Sequence, residues 1–103
     1  MSENAELNVE EQPLPSIKTL QHASKIAILE DKPILLDYWT DSFTSNALIG
    51  VKQNEDQEKI LIKNEEEYTS PISKIFKTGD EYLVITENSI YLVSNKIPMK
   101  KIS

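Results

Sequence analysis

The stretch Glu81 to Ser94, EYLVITENSIYLVS, limits the fold more than any other part of the chain. Its two halves are rich in β-branched and aromatic residues, and Glu87-Asn88 between them offers an asparagine for the positive φ of a tight turn. With a two-residue loop at that point, Ile85 faces Ile90 and Leu83 faces Leu92 on one side. Val84 then faces Tyr91, and Tyr82 faces Val93, on the other. Both faces are apolar, whereas a hairpin with one wet face alternates apolar and polar residues. The spacing therefore predicts an interior hairpin with a layer over each side.

Four further segments read as strands. PILLDYWT (Pro33 to Thr40) is followed by a loop, DSFTSN, and then by ALIGVKQ (Ala47 to Gln53). The polar turn NEDQ leads to EKILIK (Glu58 to Lys63). An acidic connector, NEEEYTSP, precedes ISKIFK (Ile72 to Lys77), and Gly79 in Thr78-Gly79-Asp80 suits the hairpin that follows. After Ser94, Pro98 is expected to end regular structure, leaving Lys96, Lys100 and Lys101 as a small basic tail. Ahead of the strands, Ser16 is a good helix N-cap and Pro33 a firm stop, so SIKTLQHASKIAILED reads as a helix of about four turns. The predicted class is α+β: one N-terminal helix followed by about six short antiparallel strands. They are expected to form a bent meander or small open barrel with the helix over one end or face.

On that helix Ile17, Leu20, Ser24, Ala27 and Ile28 share one face, which is expected to meet the core. His22, Ile26 and Leu29 form a second stripe at i, i+4, i+7. A helix laid on a sheet needs only one, so this second stripe is expected to be a partner surface or to be covered by the protein itself. Tyr38, Trp39 and Phe43 cluster at the end of the first strand. Strand alternation puts Trp39 on the same face as Asp37, and so partly in water. Core packing is the first reading of this cluster, and partner contact is the alternative that makes Trp39 and Phe43 candidate partner-contact residues, because large aromatics anchor interfaces as well as cores.

Residues 1–15 differ from the rest. They hold four Glu, no Lys and two Pro, with Leu7, Val9 and Leu14 scattered at no clear period. They are expected to be an extended or disordered acidic arm ahead of a single domain spanning 16–103, with those three apolar residues available to a partner. The arm lacks the apolar run of a secretory signal, and no stretch of the chain has the length of a membrane span. A soluble protein, cytoplasmic or carried in a virion, is the expectation.

Charge and composition narrow the functions. The net charge is −6, and beyond the arm 13 acids stand against 11 lysines, so the folded part is close to neutral. There is no arginine, the usual reader of guanine edges and phosphates, and no basic stripe, so sequence-specific nucleic-acid binding is not expected. The absence of cysteine excludes disulfides, thiolate zinc sites and thiol nucleophiles. A single histidine cannot supply a histidine pair or metal cluster, and two isolated glycines cannot build a phosphate cradle. Glu65, Glu66 and Glu67 point in different directions and lack the spacing of a calcium loop. No cofactor, metal or enzymatic activity is expected.

What remains is a non-enzymatic interaction or structural subunit that docks onto other protein chains or a larger assembly, self-association included. Abundant Ile and Lys without Arg fit an A/T-rich coding sequence, and a viral structural or accessory protein is the concrete form of this expectation. The alternative is a small acidic inhibitor or regulator of a host nucleic-acid-processing or defence protein.

Overall fold

The computed structural model describes residues 13–102. In chain order the elements are α1 (Ile17–Glu30), β1 (Ile34–Leu35), α2 (Trp39–Phe43), β2 (Leu48–Lys52), β3 (Lys59–Ile62), β4 (Ile72–Thr78), β5 (Glu81–Thr86), β6 (Ile90–Ser94) and β7 (Met99–Ile102). The strands make two mixed sheets, ordered β1-β6-β5-β4 and β3-β2-β7. The class is α+β, and the barrel does not close.

The β5–β6 hairpin takes the register read from its sequence, Ile85 opposite Ile90, Val84 opposite Tyr91, Leu83 opposite Leu92 and Tyr82 opposite Val93. It occupies the two central positions of its sheet, and each face has its own core. Leu83, Ile85, Ile90 and Leu92 pack with Ala23 and Ile26 of α1 and with Trp39. Val84 and Val93 pack with Ile49, Leu61, Ile97 and Tyr38 beneath the second sheet. Helices, four-stranded sheet and three-stranded sheet thus form three layers, and the two-sided hairpin is the middle one.

Three expectations about local structure give way. The run Pro33 to Thr40 is a strand only at Ile34 and Leu35, which pair parallel to Ile90 and Tyr91 at the sheet edge. The chain then turns, with the Trp39 amide donating to the Leu36 carbonyl at 3.1 Å, and forms α2. In a helical turn, neighbouring side chains point about 100° apart rather than to opposite faces. Tyr38 enters one core and Trp39 the other, and each is 6% exposed, so Trp39 is not partly in water. Second, Pro98 opens a strand rather than ending structure. Its carbonyl accepts from the Ile49 amide at 2.9 Å, and β7 continues parallel to β2. Proline is tolerated at the first position of an edge strand, where its missing N–H costs no ladder bond. Third, β1 pairs with β6 and β7 with β2 in parallel, so the strands of the described residues are not all antiparallel.

The fourth correction concerns α1. Its buried residues are Thr19 and Ala23, with Ile26 and Ala27 partly buried, while Ile17 and Ile28 of the expected core stripe are 75% and 81% exposed. The helix meets the sheet through its small side chains, which allow close approach. Its N-terminus is fixed by Glu81: the carboxylate accepts from the Ser16 amide at 3.2 Å, from the Ser16 hydroxyl at 3.1 Å and from the Thr19 hydroxyl. Thr19 Oγ1 also lies 2.8 Å from Thr78 Oγ1. A carboxylate at a helix N-terminus satisfies unpaired amides and opposes the positive end of the dipole. At the other end, Lys32 Nζ donates to the Thr86 carbonyl at 2.8 Å, so α1 runs along β5 in the same direction.

Candidate functional site

Three surfaces of this scaffold have the chemistry to bind something. The first is the outer face of α1. Ile17, Leu20, Ser24 and Ile28 recur at i, i+3, i+7, i+11 along the side turned away from the sheet, a seam of the kind that packs against another apolar surface. Ile17 and Ile28 stand almost fully in water, with Leu20 half exposed between them. The shallow depression at the seam's N-terminal half is lined by Ile17, Leu20, Gln21, Ser24 and Lys25.

The second is a groove of about 280 Å³ between α1 and β4, lined by His22, Ile26, Phe76, Lys77, Thr78 and Leu83. Phe76 lies opposite Leu83 in the β4–β5 ladder, and so on the helix side of the sheet. The helix leans over β5 and stops short of covering it, which leaves the ring 45% exposed.

The third is the outer face of the three-stranded sheet, where Leu48, Ile60, Ile62, Tyr68 and Ile102 line an open cavity of about 580 Å³ rimmed by Lys52 and Lys63. Gly50 lies beneath the ends of two of these side chains. A Cβ there would lie 2.6 Å from Ile62 Cδ1 and 2.9 Å from Ile102 Cδ1, so a larger residue would make the isoleucine ends shift aside.

The residues singled out from the sequence divide among these places. His22 and Ile26 come together in the groove, with Ile26 half-buried against the core. Leu29, at i+7 from His22 and so on the same flank, lies beyond the groove's lining and is exposed. Trp39 and Phe43 meet edge to face at 4.9 Å, but as a wall of the helix-side core. The Trp39 indole N–H donates to the Pro13 carbonyl at 2.7 Å and so fixes where the arm joins the domain. Leu14 is exposed beside it, and Leu7 and Val9 lie outside the described residues.

The sequence reading missed Ile17, Leu20 and Ile28 as surface residues because their stripe looked like a core stripe. It missed Phe76 because nothing in ISKIFK says which face the helix leaves open. The signal that was available is size: Thr19, Ala23 and Ala27 mark the side of closest approach.

Among the described residues, no group of three or more His, Asp or Glu could hold a metal ion. No helix there is long and apolar enough to cross a membrane. Among the described residues, Tyr38, between the two sheets, is the group whose acidity is clearly altered. Burial, and then the negative charge that Tyr91, Glu67, Asp37 and Asp41 bring or can acquire, pushes its phenol up to about 12, which keeps it protonated and inert. Neither a protein-family model, nor a curated protein, nor a solved structure matches the chain. Function must be argued from the surfaces alone.

Proposed function

We propose that the protein is a non-enzymatic interaction subunit that docks onto a larger protein assembly through the outer face of α1. The observation that carries this reading is the pair Ile17 and Ile28, three-quarters or more exposed on one face of a helix whose opposite face is already packed. Each aliphatic side chain buried at an interface contributes about 1.5–3 kcal/mol at best, so such a seam is a strong driver of association. A viral structural or accessory subunit, carried in a virion or acting in the cytoplasm, is the concrete form of the proposal. That form draws its support from base composition only.

The alternative, an acidic inhibitor of a nucleic-acid-processing or defence protein, needs a continuous acidic surface. The acids of the described residues are scattered along the chain, and their two clusters, Glu55-Asp56 and Glu65-Glu66-Glu67, lie at opposite ends of β3. That spacing supports the alternative less well than the apolar seam supports docking.

The test is the double variant Ile17→Glu plus Ile28→Lys. Both sites are exposed, and the new charges suit the helix dipole at their respective ends, so folding stability should change by no more than about 0.5 kcal/mol. The tagged protein, recovered from its source, should lose its stoichiometric partner while its unfolding midpoint stays put. Retention of the partner by the folded variant would refute the assignment of this face.

A further inference from the structure

The depression on α1 has the layout of a socket for another helix. Its walls are Ile17, Leu20, Gln21 and Ser24, with Lys25 at the rim, and all five are exposed. The four wall positions stand at i, i+3, i+4 and i+7. That is the set of residues that forms the hole for one side chain of a facing helix in coiled-coil packing. Ser24, the smallest of the four, leaves its corner open. Gln21, Ser24, Lys25 and Ile28 repeat the spacing one turn on, so a second hole follows the first along the seam. A strand presents a side chain to one face at every second residue and does not match that step.

Charge then selects the kind of helix. Lys18 and Lys25, seven residues and about 10 Å apart along the axis, stand exposed on one flank of the seam. Among the described residues neither makes an ion pair. Glu30, the one acid within α1, is paired with Lys32 at 3.0 Å, and the Glu81 carboxylate is taken up by Ser16 and Thr19. The helix has no acid in its first turn, and Lys18 sits there instead, where the dipole favours negative charge. Helix stability gives no reason for a lysine at that place, whereas an anionic partner does.

We propose that the outer face of α1 receives an acidic helix of a different protein, whose apolar side chains enter the two holes and whose carboxylates meet Lys18 and Lys25. The proposal rests on the reading of this face as the docking surface and adds the chemistry of what docks. A second copy of the chain does not fit. In an antiparallel two-fold pair the like flanks of the two helices lie side by side, which lines up four lysines. In a parallel pair each lysine flank meets the flank of Leu20 and Ala27, which offers no carboxylate.

The probes are two synthetic peptides of three heptads. Both carry leucine at the first and fourth positions of each heptad, with glutamate in one and lysine in the other at the positions beside them. Like charges keep each peptide from pairing with itself. In fluorescence anisotropy at low salt, the full chain should bind the glutamate peptide about tenfold more tightly than the lysine peptide, and added salt should narrow the gap. Lys18→Glu plus Lys25→Glu should reverse the preference. Ser24→Phe, which fills the first hole and keeps both lysines, should weaken binding of the glutamate peptide about tenfold. All three sites are exposed, and circular dichroism checks that the variants fold. Equal binding of the two peptides, binding of neither, or a preference that survives the charge reversal would overturn the proposal. So would a Ser24→Phe variant that binds like the parent. A full chain that adheres to phosphatidylserine vesicles and ignores both peptides would also overturn it and assign the face to a lipid surface. The native assembly separates this proposal from the one beneath it. A partner released by Ile17→Glu plus Ile28→Lys but retained by Lys18→Glu plus Lys25→Glu would keep α1 as the docking face and remove the acidic helix.

Discussion

Tyr38 and Trp39 are adjacent in sequence yet serve different cores. Tyr38 stacks edge-on against Tyr91 at 5.5 Å, with Lys63 Nζ 4.9 Å from its ring centre, whereas Trp39 faces Phe43 on the helix side. Read as a strand, the run from Pro33 to Thr40 could not have shown this, since both alternation and a helical turn send neighbours apart and only the backbone decides by how much. The raised pKa of Tyr38 gives a direct check. In the unfolded chain the phenol ionises near pH 10, whereas in the fold it holds its proton to about pH 12. Its contribution to stability is therefore whole below pH 10 and lost as pH rises toward 12, a change on the order of 2 kcal/mol. Urea unfolding over that range should show this loss in the parent protein relative to Tyr38→Phe. Parallel curves for the two proteins would mean that the ring is not confined between the sheets.

At the scale of elements, what the sequence disclosed and what it concealed separate on physical grounds. The β5–β6 hairpin was legible down to its register because a two-residue loop and two apolar faces leave a single self-consistent pairing. Replacing Leu83 or Ile85 by Ala should cost about 2–4 kcal/mol in chemical denaturation, the lost transfer energy plus the cavity left behind. A cost well under that at both sites would show that the hairpin is not the middle layer. The helix α1 was legible as an element, with its Ser16 cap and its stop before Pro33, but not in its orientation. Apolar residues occur nearly all round it, so periodicity offers two stripes and no means of choosing. Close packing chooses: Thr19 and Ala23 let the helix settle on the sheet, and the bulkier Ile17 and Ile28 are left outside. Of the proposed site residues, His22 and Ile26 stayed together because they are one turn apart on a rigid helix. Phe76 joined them through a contact between distant parts of the chain, and helical or strand periodicity carries no record of that. β7 was concealed for a similar reason, since its pairing with β2 is long-range and parallel and its opening proline reads locally as a stop.

For the whole molecule, three layers bury the hairpin and leave three apolar surfaces outward: the seam of α1, the groove beside β4 and the isoleucine-lined face over Gly50. Neither the seam nor the isoleucine-lined face belongs to the two buried cores. The lysines on the β7 edge, Lys100 and Lys101, are exposed and discourage pairing of further strands there. The central claim is that the outer face of α1 is where the partner assembly sits. It is tested most directly by placing a photo-cross-linking side chain at position 28, and in a second protein at position 101, and irradiating each in its native assembly. The account predicts that position 28 yields a covalent adduct with the partner chain and position 101 does not. An assembly that forms normally but gives adducts at 101 and none at 28 would contradict it.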